Sequence, residues 1–231
     1  MCAHANSSCV RPFSITRMQH RANLLAAVEP SAGSRGLSAS DRARFEGYLA
    51  EILTTLGLDL TGEGTRDTPA RLLSAWVDAT SGYASDPKLV TTFVEQRPAG
   101  EEGANAQIVE GPIPLCAMCE HHALPFFGHA WLGYVASERL IGLSKLTRIV
   151  RQFAQRFTMQ ERIGREVASS LESIVMARGV AVRIEAVHLC TRMRGVRDTE
   201  AVTSSSTWRG SYERSDTLRR EFLELCVRRS A

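Results

Sequence analysis

The run Val180-Ala-Val-Arg-Ile-Glu-Ala-Val-His-Leu-Cys190 decides how this chain is read. Val180, Val182, Ile184 and Ala186 recur at every second position, the period of a strand with one apolar face turned to a core. His188 and Cys190 continue the alternation, so on a strand they point the same way. A thiol and an imidazole at the end of a buried face are placed to meet a group held by another segment. Upstream, Cys119-Glu-His-His122 supplies such a segment. Cys119 and His122 are three apart, which puts both on one face of a helical turn.

Together the two runs offer two thiols and three imidazoles, from Cys119, His121, His122, His188 and Cys190, if the fold joins them. Taken singly, a Cys or His is more often a packed core residue than a ligand. Two segments that each pair Cys with His reverse that weighting, and thiolate with imidazole suits zinc first. Cys116-Ala-Met-Cys119 also reads as a redox pair or as half of a four-cysteine structural site, but no second Cys-x-x-Cys completes the latter. Three protein ligands leave one coordination position open, the mark of a catalytic zinc.

Composition sets the bounds. A chain of 231 residues suffices for one sizeable core with an appended tail. Hydrophobic content of 44% and charged content of 23% are those of an ordinary globular protein. A net charge of +3 gives no ground for nucleic-acid binding. Six unevenly spread cysteines do not form a secreted disulfide framework. No apolar run approaches a membrane span, and no charged-then-apolar leader opens the chain. The expectation is a cytoplasmic protein with neither nucleic acid nor membrane as a partner.

Residues 1–38 are rich in Ser, Ala and Arg, and Ser31-Ala-Gly-Ser-Arg-Gly36 is linker chemistry, so a flexible tail is expected there, with Cys2 and Cys9 outside the function. The domain then covers 39–231, its N-terminal helices falling within 39–83. The first runs from Asp41 to Leu56, capped by Ser40, with Phe45, Leu49, Ile52, Leu53 and Leu56 on one stripe. The second starts at Thr68-Pro69, a cap followed by proline, carries Leu72, Leu73, Trp76 and Val77, and ends at Gly82. From about residue 105 the pattern changes. Gln107 to Val135 reads as extended, broken by a turn at Pro112 to Pro114 and by the Cys-Glu-His-His element. Two helical stripes follow, Leu146, Ile149, Val150, Phe153, Phe157 and then Ile163, Val167, Leu171, Ile174, Val175. The alternating strand comes next, then a strand across Thr203 to Thr207, and a last helix from Thr217 to Val227. This succession makes an α+β domain.

From Glu63 to Leu225 the chain resembles the type I GTP cyclohydrolases. The resemblance is carried by Thr68-Pro-Ala-Arg71, Met118-Cys-Glu-His-His-Ala-Leu-Pro-Phe126 and Ile141-Gly-Leu-Ser-Lys-Leu-Thr-Arg148. It continues through Gln160-Glu-Arg162, Glu185-Ala-Val-His-Leu-Cys190, Met193-Arg-Gly-Val196 and Glu221-Phe-Leu223. Each motif alone is weak; their order and spacing are specific. The resemblance implies a tunnelling fold, an antiparallel sheet with two helices on one side, preceded by N-terminal helices and assembled as a homodecamer with sites between subunits. It implies conversion of GTP and water to 7,8-dihydroneopterin triphosphate and formate, the first step of pterin and tetrahydrofolate biosynthesis.

By resemblance, Zn2+ is held by Cys119, His122 and Cys190. The residues by themselves do not choose His122 over His121. The same resemblance makes His121 and His188 proton donors and acceptors for ring opening, and Ser144 a participant in the later ribose rearrangement; Ser144 also reads as a helix N-cap. Glu161 matches the guanine anchor, a carboxylate able to accept from N1–H and the exocyclic amine together, with Gln160 beside it helping to hold the base. Lys145, Arg148, Arg194 and Arg71 match triphosphate contacts. Three departures stand out: Ser74 where some members carry Lys, the run Ser204 to Tyr212, and Cys116, read as a spare buried thiol. Two rival readings are a zinc-binding relative without turnover and a related tunnelling-fold enzyme, a deazaguanine nitrile reductase. Glu161 with two non-ligand histidines argues against the first. The second works by a cysteine nucleophile and a nicotinamide and needs no such ligand set.

Overall fold

The periodicities of the sequence become elements in the computed structural model, which describes residues 36–84, 86–94 and 107–228. Nearly all of the expected tail, with Cys2 and Cys9, lies outside these residues. Helix α1 covers Ala39–Thr55, and its cap is Ser38 rather than Ser40: the Ser38 hydroxyl accepts from the Asp41 N–H at 3.0 Å. Of the expected stripe only Leu49 is buried, while Ile52 and Leu56 are 53% and 79% exposed. Helix α2 covers Thr68–Ala79 with Asp67, not Thr68, at the cap position and Pro69 in the first turn. Gly82 does not end α2. It lies in the 3-10 turn Ser81–Tyr83, where a Cβ would stand 2.5 Å from the Gln152 carbonyl oxygen, so close approach demands glycine there.

A two-stranded ribbon pairs β1 (Phe93–Val94) with β4 (Arg139–Leu140). The main sheet has five strands: β2 (Gln107–Cys119), β3 (Pro125–Val135), β5 (Phe157–Thr158), β6 (Gly179–His188) and β7 (Thr203–Gly210), in the order β5-β2-β3-β6-β7. All neighbours are antiparallel except β5 against β2. Pro112 to Pro114 do not break the chain into two strands as expected. They sit in one continuous strand with a register irregularity between Glu110 and Ile113. Such a bulge adds a residue and so exchanges the two faces of a strand. Val109 accordingly packs on one side of the sheet, whereas Ile113, Leu115 and Ala117 pack on the other.

Helices α3 (Leu143–Ala154) and α4 (Gln160–Val175) cover the side carrying Ile113, Leu115 and Ala117. Both apolar stripes are buried as periodicity requires, Leu146, Ile149 and Ile163, Val167, Leu171 each at 0% exposure. Phe157 is the exception: α3 stops at Ala154, and Phe157 enters β5 beside Met118, 38% exposed. After β6 come a single helical turn α5 (Leu189–Arg192), then β7, a short α6 (Ser211–Arg214) and α7 (Asp216–Arg228). Phe222 and Cys226 of α7 pack with Trp131, Ala181 and Tyr212 on the far side of the sheet. The result is a mixed α+β chain with a core on each side of its sheet.

Candidate active site and metal centre

Strand β3 brings the two chemistry-bearing segments together. Its first residues pair with the ends of both neighbours, Pro125 with Met118 of β2 and Phe126 with His188 of β6. Beyond β2 the chain reverses in a tight turn rather than a helix: Ala123 donates its N–H to the Cys119 carbonyl at 2.8 Å, and Cys119 donates to Leu124 at 2.8 Å. Ala123 takes a left-handed φ of 51° to close it. One such turn spans four residues as a helical turn does, so Cys119 and His122 lie side by side although no helix forms. At the other segment, β6 ends at His188 and Cys190 belongs to α5. The shared strand face expected for His188 and Cys190 is therefore replaced by a strand end and a helical turn.

The donor atoms of Cys119, His122 and Cys190 all lie within 4.8 Å of one another. Cys119 Sγ is 3.7 Å from Nδ1 of His122 and 3.8 Å from Nδ1 of His121. The difference between the histidines lies in Cys190, since His121 falls outside the mutually close group. Donors around a tetrahedral zinc stand about 3.5–3.8 Å apart, so the Cys119–His122 pair already has that spacing and the set fits the ion after a contraction of at most about 1 Å. The chemistry of the donors agrees. Burial, with Cys119 beside it, pushes the Cys190 thiol up, and two adjacent thiols resist ionising together; a divalent cation removes that resistance.

A cavity of about 530 Å³ opens at these residues and is also lined by His121, His188 and Glu161. His188 stacks on Phe126, with ring centres 4.5 Å apart and planes 6° from parallel. Burial pushes its imidazole below the ordinary value, against a smaller opposing pull from Glu161. Glu161 stands exposed in the first turn of α4. Gln160 beside it is turned inward, with its amide bonded to His188, Ile184, Thr203 and Ser205.

None of the four expected cations is among the residues lining that cavity. Ser144 and Arg148 line a different cavity of about 690 Å³ together with Lys88 and Arg151, and Arg148 pairs with Asp86 at 3.0 Å. Lys145 donates to the Thr91 carbonyl. Arg71 pairs with Asp67 at 3.3 Å and donates to the Gly64 carbonyl at 3.0 Å, and Arg194 is exposed beyond α5. Ser144 does not cap α3, because Gly142 holds the cap position. Cys116 is exposed rather than buried, and strand alternation sets it on the face of β2 opposite Cys119.

Two features escaped sequence reasoning. Arg165 lines the metal-side cavity one helical turn beyond Glu161, a spacing of four that was available to be read. Arg162 grips both carboxylate oxygens of Glu120 in the ligand-bearing turn, one at 3.0 Å. The pair lowers the Glu120 carboxyl, chiefly through that hydrogen bond, and no local spacing signals it.

Fold and site define an α+β protein with a candidate Cys-His-Cys metal centre at the ends of two inner strands of its main sheet. The profile of a family described as GTP cyclohydrolase I matches residues 45–227, and the chain belongs to that family, whose members are hydrolases. Proteins called GTP cyclohydrolase 1 are similar along most of their length. That of Mycolicibacterium vanbaalenii is 39% identical over 82% of this chain and 92% of its own. That of Porphyromonas gingivalis is 38% identical over 81% and 94%, and that of Saccharomyces cerevisiae 37% identical over 81% and 75%. Among solved structures, the apo form of an archaeosine synthase, QueF-Like, aligns with 46% of this chain and 93% of its own at a TM-score of 0.35 and 9% identity, too distant to bear on the chemistry. Among the described residues, no helix is long and apolar enough to cross a membrane.

Proposed function

We propose that the chain is a zinc-dependent GTP cyclohydrolase I, converting GTP and water to 7,8-dihydroneopterin triphosphate and formate in the cytoplasm. The observation that carries this reading is the convergence of Cys119, His122 and Cys190 in a cavity shared with His121, His188 and Glu161, in a chain of this family. Zinc held by the three donors supplies Lewis-acid activation of water at neutral pH.

The side chains divide the remaining work. Glu161 accepts from the N1–H and the exocyclic amine of guanine, a donor pair that adenine lacks. His188 and His121 hold and move the protons that make C8 of the imidazole ring attackable and that accompany loss of formate. Ser144, Lys145, Arg148, Arg194 and Arg71 serve the ribose and triphosphate. Ser144 and Arg148 line a cavity other than the metal-side one in this chain, and that supports a site completed by a second copy, as in a homodecamer of tunnelling-fold subunits. Each copy would then offer its metal-side cavity to the cations of another.

The test is GTP turnover, read as formate and as pterin fluorescence after oxidation, with metal content measured on the same sample. Turnover with stoichiometric zinc supports the reading. Zinc without turnover sinks it in favour of a non-catalytic relative.

A further inference from the structure

Gln160 opens α4, where a polar side chain ordinarily faces solvent, yet it is 1% exposed. Its amide nitrogen stands 3.0 Å from each of three acceptors: the Ile184 carbonyl on β6, the Thr203 carbonyl on β7 and the Ser205 hydroxyl. Carbonyl oxygens only accept, so the amide nitrogen must face them; the reversed amide would set oxygen against oxygen. The amide oxygen is thereby turned to His188, 2.9 Å from Nε2. An amide oxygen also only accepts. Nε2 of His188 therefore bears a hydrogen in the neutral ring, and Nδ1 is left as its acceptor. The Phe126 stack holds the plane of the ring.

We propose that Gln160 is a positioning residue for the reaction. Its side chain, expected by resemblance to help hold the base, has both polar atoms engaged within the chain. It fixes the orientation and the Nε2–H tautomer of His188, so that Nδ1 is the nitrogen available for proton transfer in the cavity. The inference rests on the reading of His188 as an acid–base group. It also explains the burial of an amide at this point: a buried amide is costly unless hydrogen-bonded, and both polar atoms of the Gln160 side chain are engaged. β6 and β7 supply the carbonyls, so the sheet itself sets the tautomer.

The experiment labels the six histidines with 15N and assigns the His188 ring by difference from His188→Ala. In the wild type, His188 shows one neutral tautomer, Nε2–H. Gln160→Leu shows both tautomers, keeps its zinc, and loses about ten- to a hundredfold in kcat while KM stays within about twofold. Gln160→Met, unbranched and of similar length, carries the same test if the leucine variant does not fold. An unchanged single tautomer in the variants overturns the proposal, as does a raised KM with unaltered kcat, the signature of a substrate contact. A wild type without GTP turnover, whatever its tautomer, overturns instead the acid–base reading on which the catalytic half of the proposal stands.

Discussion

Cys190 and His188 are two residues apart and serve different ends. Cys190, in α5, closes the donor set, whereas His188, at the last position of β6, lines the cavity without joining it. Cys190→Ala is expected to lose zinc and turnover together. His188→Ala is expected to keep zinc and lose about 10²- to 10⁴-fold in turnover, the usual worth of a general acid–base group. Metal analysis beside a pterin fluorescence assay checks both, and an active Cys190→Ala enzyme would remove that residue from the ligand set. At this scale the sequence named the participants but not their division of labour. Adjacent histidines cannot be ranked by spacing, and what separates them is Cys190, which reaches His122 through the fold. Gln160 shows the same limit: a polar residue at a helix start reads as solvated until the carbonyls of β6 and β7 are seen above it.

Elements were legible where one periodicity ran unopposed. The stripes of α3 and α4 and the alternation of β6 are buried as read, because each covers an apolar face with no competing contact. Boundaries failed where another segment offered a better partner: the Ser38 hydroxyl moved the start of α1, and pairing with β2 drew Phe157 out of a helical stripe into β5. The bulge in β2 was mistaken for a turn because two prolines carry the same local signal in either case. Glu166 gives α4 a measurable property. Burial raises its carboxyl above the ordinary range, outweighing Arg156, Arg162 and Arg165 nearby. A raised carboxyl binds its proton more tightly folded than unfolded, so its contribution to stability is full below about pH 4 and is lost as the pH rises through the raised value. The urea unfolding midpoint of the wild type, taken relative to that of Glu166→Gln, should therefore fall as the pH rises across that range. Equal slopes would show that the carboxyl titrates alike in both states.

For the molecule as a whole, the informative fact is a separation. Arg148 and Ser144 line one cavity, and the Cys-His-Cys donors line another. The residues by themselves do not report that; only the resemblance, in implying sites between subunits, points to it. If copies complete each other, dilution that separates them should abolish turnover per chain while zinc stays bound at about one ion per chain. Activity and metal measured beside the mass in solution decide it. A monomer with full turnover would place all the functional residues in one chain and refute the shared site.

The turn after β2 has a consequence of another kind. Cys119 and Cys190 bracket everything from β3 through β6, and in the sheet β3 lies between the two strands that lead to them. An ion shared between them would close a loop of about seventy residues and, by binding the folded chain in preference to the unfolded one, would add its binding free energy to stability. The ligand-bearing turn is also tied, through Glu120 and Arg162, to α4, the helix that presents Glu161. In such an architecture a bound metal would hold the fold together as well as serve the chemistry.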